Sequence, residues 1–167
     1  MELVFGYALG FLVLMPLLTL MHELGHAIPQ LCMKKKVVID LGGSSPIPII
    51  KVSRLFIRIA PFSIFHGFCS ISSRLLRVGL VVTLLGGPLV TLLLAMLLNE
   101  LRMVDAGQWF TFLASFGFYF TVFQLVFTLA PIKYPSFFGG YSGTKSDGLR
   151  ILEALRCNES KGANVLC

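Results

Sequence analysis

His22-Glu23-Leu24-Gly25-His26 closes an apolar run, Leu3 to Met21, that contains no Lys, Arg, Asp or Glu. The run continues in helix-compatible sequence to about Met33 and ends at Lys34-Lys35-Lys36. That length suits a membrane-spanning helix, which needs about 20 mostly apolar residues. The five residues read H-E-x-x-H. On a helix, positions i and i+4 share a face, so His22 and His26 can hold one metal ion between their imidazoles. Glu23 beside them can take a proton from a water that the metal activates. At membrane depth an ionisable group costs roughly 2.5–3.5 kcal/mol or more. Three in one turn need a partner. A lone histidine there can be a packing residue, and a Glu–His pair a proton relay. The spacing, and the lack of any Lys or Arg in the run to pair with Glu23, favour a bound cation.

Composition agrees with a membrane setting. The 167 residues are one domain by length, 56% hydrophobic and only 13% charged. The net charge of +6 does not point to nucleic acid, because the basic residues gather between apolar runs and near the C-terminus. Cys32, Cys69, Cys157 and Cys167 form no C-x-x-C pair and no zinc-finger spacing, so they read as apolar fillers and reduced thiols. Met1-Glu2 offers no basic start and no small-residue cleavage site follows, so the first span is expected to be retained. Pro16 falls inside it and can kink it.

The fold class expected is an α-helical integral membrane protein with a three-span core and a small β-rich, membrane-associated segment between spans one and two. The spans are about 3–33, 78–98 and 109–130. Span two carries Gly86-Gly87-Pro88, small residues that allow close helix contact. Span three is crowded with phenylalanine, taken as lipid-facing and packing residues, with Gln124 its one polar amide. Residues 37–73 alternate short β-branched runs with Gly and Pro, which reads as strands and hairpins dipping into the interface beside the metal. Residues 131–157 form an irregular loop and then a short amphipathic helix, roughly Leu149 to Cys157. Eight Lys/Arg lie from Lys34 to Arg77 and five from Lys133 onward, against Arg102 alone between spans two and three. That bias puts the N-terminus outside and the C-terminus in the cytoplasm, with the metal motif opening to the cytoplasmic side.

A catalytic zinc usually takes three protein ligands and leaves one position open. Beyond His22 and His26, the third ligand is Asp147, at a Gly-containing break after span three, or His66, in Ile64-Phe65-His66-Gly67-Phe68. Imidazole and carboxylate both suit zinc, so chemistry alone leaves the two close.

H-E-L-G-H on the first span, Gly87-Pro88-Leu89-Val90-Thr91 in the second and Asp147-Gly148 after the third resemble the site-2 protease family of intramembrane zinc metalloproteases, to which the sporulation-factor processing protease belongs. The resemblance covers most of the chain. It implies one zinc per chain held by His22, His26 and Asp147, with Glu23 as the catalytic base, and a β-rich membrane-embedded segment where residues 37–73 fall. It also implies a bacterial plasma membrane as the setting, a transmembrane or membrane-anchored protein as substrate, and room for a regulatory membrane partner.

Three departures from the family's pattern stand out. The family commonly has Asn where Thr91 stands, and an Asn-x-x-Pro where this chain reads Thr128-Leu129-Ala130-Pro131. Pro131 and Asp147 are also farther apart than in the family's compact motif, which implies an insertion around Pro135 to Lys145. Thr91 and Thr128 thereby become the expected substrate-positioning residues. Val52 joins them, on a strand edge within 37–60 that an unwound substrate can extend by strand addition.

The activity expected is hydrolysis of membrane-embedded peptide bonds near the cytoplasmic face. The alternative is a catalytically inactive zinc-binding membrane protein that acts as a regulatory or binding factor. A metal-ion transporter would need polar residues on several spans, and spans two and three offer little beyond Thr83, Thr91 and Gln124.

Overall fold

A computed structural model of the chain describes residues 2–42, 48–60, 66–71 and 75–156. The turn at Gly43-Ser44-Ser45-Pro46, the Pro61 break, Ile64, Phe65, and the tail with Cys157 and Cys167 lie outside the described residues. The fold is mostly helical. Three helices, Val4–Cys32, Arg77–Leu101 and Gln108–Leu129, are long and apolar enough to cross a membrane.

The first is built in three pieces: α1 (Glu2–Leu9), a π turn (Gly10–Leu14) and α2 (Met15–Cys32). Pro16 sits in the first turn of α2 and lacks the N–H that an α-helical bond would need. The wider turn just before it absorbs that loss without breaking the rod. Next come four strands, β1 (Val37–Leu41), β2 (Pro48–Val52), β3 (Leu55–Ile59) and β4 (Gly67–Ile71). Then follow α3 (Arg77–Leu101), α4 (Gln108–Leu129), a short 3-10 segment (Ser136–Tyr141) and α5 (Asp147–Arg156).

The strands form one sheet in the order β2-β3-β1-β4. Only β2–β3 is a hairpin. β1 pairs in parallel with β3, Ile39 opposite Ile57, and antiparallel with β4, Ile39 opposite Cys69. Strand periodicity explains which face is buried. Val37, Ile39 and Leu41 point inward with Ile57 and join Ala27, Leu20, Leu24 and Leu31, a stripe at helical spacing on α2. On the opposite face Asp40 accepts two hydrogen bonds from Arg58, its cross-strand neighbour. The sheet therefore packs on one face of α2. The face of α2 bearing His22, His26 and Gln30 is left for α3 and the interior.

Contact between α2 and α3 is backbone on backbone. A Cβ at Gly25 would fall on the Gly86 carbonyl, one at Gly86 on the Gly25 carbonyl, and one at Gly87 on the His26 ring. At the N-terminal end α1 and the π turn meet α4 through aromatic rings: Phe5 with Trp109 and Tyr7 with Phe112 from α1, and Phe11 with Phe116 from the π turn. At the other end α2 and α4 form facing walls of a cavity of about 510 Å³.

The segment between Pro131 and Asp147 folds back on itself. Tyr134 N–H donates to Thr144, Ser146 N–H donates to the Ile132 carbonyl, and the Ser146 hydroxyl donates to the Ala130 carbonyl at 2.5 Å. Its two ends meet beside the end of α4, which leaves Asp147 near Pro131 despite their separation in sequence.

Replacing Gly25 or Gly86 by Ala is expected to cost about 1–3 kcal/mol, because rigid backbone must shift to make room. Thermal unfolding in detergent should show both variants well below wild type. Gly79→Ala, which meets the adaptable Met33 thioether, should stay close to it.

Candidate metal centre

His22 and His26 project from successive turns of α2, and Asp147 is the first residue of α5. The Nε2 atoms of the two histidines lie 3.2 Å apart, and Asp147 Oδ2 lies 3.4 Å from one and 3.2 Å from the other. Ligands bound at ~2.0–2.2 Å at the corners of a tetrahedron stand about 3.3–3.6 Å apart. The 3.4 Å separation matches that spacing and the two 3.2 Å separations lie just below it. Both histidines are buried, and Asp147 is partly buried.

The partners of the other ring nitrogens decide what these atoms can do. His26 Nδ1 lies 2.8 Å from the Thr83 carbonyl, which can only accept, so Nδ1 carries the proton and Nε2 presents a lone pair. The Gly87 N–H also approaches Nδ1, at 3.3 Å, but a nitrogen already donating to a carbonyl cannot accept there, and the shorter contact decides the tautomer. His22 Nδ1 lies 2.7 Å from the Thr91 hydroxyl, whose hydrogen is given to the Gly87 carbonyl. Thr91 therefore accepts from His22, and that Nε2 too presents a lone pair. Two imidazole lone pairs and a carboxylate oxygen converge on one point. Without a cation or a shared proton between them they repel. These three are also the only group of His, Cys, Asp and Glu side chains among the described residues whose ligand atoms come close enough to share a metal.

Burial alone would push the Asp147 carboxyl up, but the two imidazoles at its oxygen outweigh this and hold it well below the usual carboxylate range. It is a carboxylate, as a metal ligand must be. Its place at the start of α5 adds the favourable end of the helix dipole. Ser146 caps that helix, accepting from the Leu149 N–H at 3.2 Å.

Glu23 is buried and lines the same cavity. Gly67 packs directly on its carboxylate, since a Cβ there would lie 2.7 Å from Oε1, and the Cys69 backbone of β4 faces it. Burial, then the charge of Glu23, push the Cys69 thiol up to about 12, and Cys69 is not in the convergent group.

The other expected site residues fall elsewhere. His66 lies at the cavity, where its Nε2 accepts from the Gly140 N–H at 2.8 Å, and it is not in the convergent group. Thr91 orients His22 and does not line the cavity. Thr128 does line it, but its hydroxyl hydrogen goes back to the helix, at the Gln124 and Leu125 carbonyls. Val52 is exposed on β2, at the sheet edge opposite β4, and it is β4 that supplies Gly67, Phe68 and Cys69 to the cavity wall. Sequence reading missed Thr83, whose carbonyl sets the His26 tautomer. No motif marks a backbone acceptor. It also missed Tyr141, whose hydroxyl accepts from the Gly67 N–H at 2.7 Å.

Set against family models, curated protein sequences and solved structures, the chain has no match.

Thr91→Val removes the acceptor that holds the His22 tautomer while keeping the shape of the side chain. Metal affinity, measured by competition with a zinc chelator, should fall about 10–100-fold. His66→Ala should leave it at the wild-type value.

Proposed function

We propose that this chain is an intramembrane zinc metalloprotease, similar to the site-2 protease family, acting on transmembrane or membrane-anchored protein substrates near the cytoplasmic face. One observation carries the reading. Three ligand atoms with fixed lone pairs, and a buried carboxylate that is not among them, share one cavity among helices apolar enough to cross a membrane. A structural metal site has no use for Glu23.

His22, His26 and Asp147 would hold zinc, a borderline-soft ion that takes nitrogen and carboxylate oxygen together. When bound, zinc supplies Lewis-acid polarisation and eases deprotonation of water at neutral pH. Glu23 takes the proton of the attacking water on a carboxylate oxygen and returns it to the leaving amine. Thr91 and the Thr83 carbonyl keep both imidazoles oriented throughout. Gly67 permits the close approach of β4 to Glu23, and an unwound substrate segment would lie along this wall. The Lys34-Lys35-Lys36 end of α2 is the cytoplasmic one under the positive-inside rule.

A second reading, a zinc-binding regulatory factor that cuts nothing, is favoured by one detail. The hydroxyl hydrogens of Thr91 and Thr128 are both spent on helix carbonyls, so neither is free to hold a substrate as the family's Asn would.

Zinc content and cleavage of a co-expressed library of membrane-span reporters separate the two. Wild type and Glu23→Gln should each carry about one zinc, and Glu23→Gln should cleave about 10²–10⁴-fold more slowly. Zinc in both with cleavage by neither would support the regulatory reading. Wild type without metal would overturn both.

A further inference from the structure

Three buried side-chain oxygens have no hydrogen-bond partner among the described residues: Gln30 Oε1, Thr83 Oγ1 and Gln124 Oε1. All three belong to residues that line the one cavity holding the metal ligands. Native interiors seldom leave such groups unpaired, and clustering of them around a site marks where a ligand brings the missing partners.

The three differ in what they are free to do. Gln30 is wholly buried one helical turn beyond His26, and its amide N–H braces the His26 carbonyl at 3.0 Å and the Cys69 sulfur at 3.4 Å. Thr83 sits where α3 carries the His26 acceptor. Both belong to the scaffold of the metal ligands. Gln124 is on α4, the facing wall, among Phe120, Phe123 and Phe127, and its side-chain amide makes no hydrogen bond within the described residues. An amide in aromatic surroundings with an unpaired acceptor gives the fold nothing. It does offer a carbonyl to a donor, which is what an unwound polypeptide presents when its N–H groups leave their helix. One turn later Thr128, the position that the family resemblance assigns to this task, has turned its hydroxyl back to the Gln124 backbone.

We infer that Gln124 is a substrate-positioning residue: its Oε1 accepts a backbone N–H of the unwound substrate segment and holds that segment against α4 while its scissile carbonyl faces the metal ligands. This rests on the protease reading.

The test uses the full chain in detergent, loaded with zinc, with a peptide copy of a reporter span that wild type cleaves. In the Glu23→Gln background, which binds without cutting, Gln124→Met should weaken peptide affinity about ten-fold. In the active background KM should rise more than kcat falls. Metal content should not change, and the melting temperature should hold or rise, because the variant removes an unpaired buried amide. Peptides carrying an ester in place of one backbone amide, scanned along the segment, should identify a single position. There the ester weakens binding to the Gln124 form and makes no difference to the Gln124→Met form.

Equal affinity and cleavage for Gln124→Met would overturn the inference and leave the protease reading intact. A lowered melting temperature with metal loss would also overturn it, by making Gln124 structural. A wild type that cleaves no reporter would overturn the protease reading, and the inference with it.

Discussion

The two hydrogen bonds behind the histidines, Thr91 to His22 and the Thr83 carbonyl to His26, constrain everything around them. Each fixes a proton on Nδ1 and so turns an Nε2 lone pair into the cavity. Both acceptors come from α3, and they reach α2 only because Gly25, Gly86 and Gly87 let the two backbones touch. Small residues at a helix crossing are often read as packing alone. Here the packing distance is part of the ligand chemistry, since a wider crossing would free both rings to rotate and to change tautomer. Tautomer choice also separates a metal centre from an ion-pair cluster. With Nδ1 already protonated, extra protons on Nε2 would set two imidazolium groups 3.2 Å apart in a buried site. One cation among three lone pairs removes that conflict.

The sequence made the helices legible because uncharged runs of this length have few other uses, and H-E-x-x-H because two residues four apart must share a face. Asp147 was harder. Fifteen residues separate it from Pro131, and the pairing of Tyr134 with Thr144 and of Ile132 with Ser146 brings it back to the end of α4. Local composition does not encode such long-range closure. The sheet was legible as strands but not as an arrangement. Gly and Pro mark where a strand ends, whereas the parallel pairing of β1 with β3 depends on both burying their faces on α2. Thr91 was singled out for a different task, because a hydroxyl in an apolar helix advertises polarity without saying which neighbour uses it.

The segment between Pro131 and Asp147 also contributes to the cavity wall. Its 3-10 segment lays Tyr141 beside His66 and Phe68, with ring centroids 5.3 Å away in both cases. Burial, then the charge of Glu23, push the Tyr141 phenol up, so it remains a neutral hydroxyl. It accepts from the Gly67 N–H.

Under the proposed protease reading, the sheet edge open to an added substrate strand beside the cavity is β4, whereas Val52 lies on β2. β1 and β3 are interior strands, and β2 is the edge away from the cavity; β4 is the edge beside it. Along an antiparallel pair, alternate residues turn both N–H and carbonyl away from the partner strand. On β4 those residues are Gly67 and Cys69, since the preceding His66 carbonyl accepts from the Gly42 N–H while the Gly67 N–H meets Tyr141 instead of β1. An incoming strand would find their carbonyls ready to accept, but would displace Tyr141 before its own carbonyl could reach the Gly67 N–H. The Cys69 backbone faces the Glu23 carboxylate, the base of the proposed reaction. An extended segment on this edge would thus bond chiefly through its own N–H donors. The unpaired Gln124 oxygen makes the same demand: under the proposed reading, both β4 and α4 offer acceptors, and an unwound substrate backbone would bring the donors.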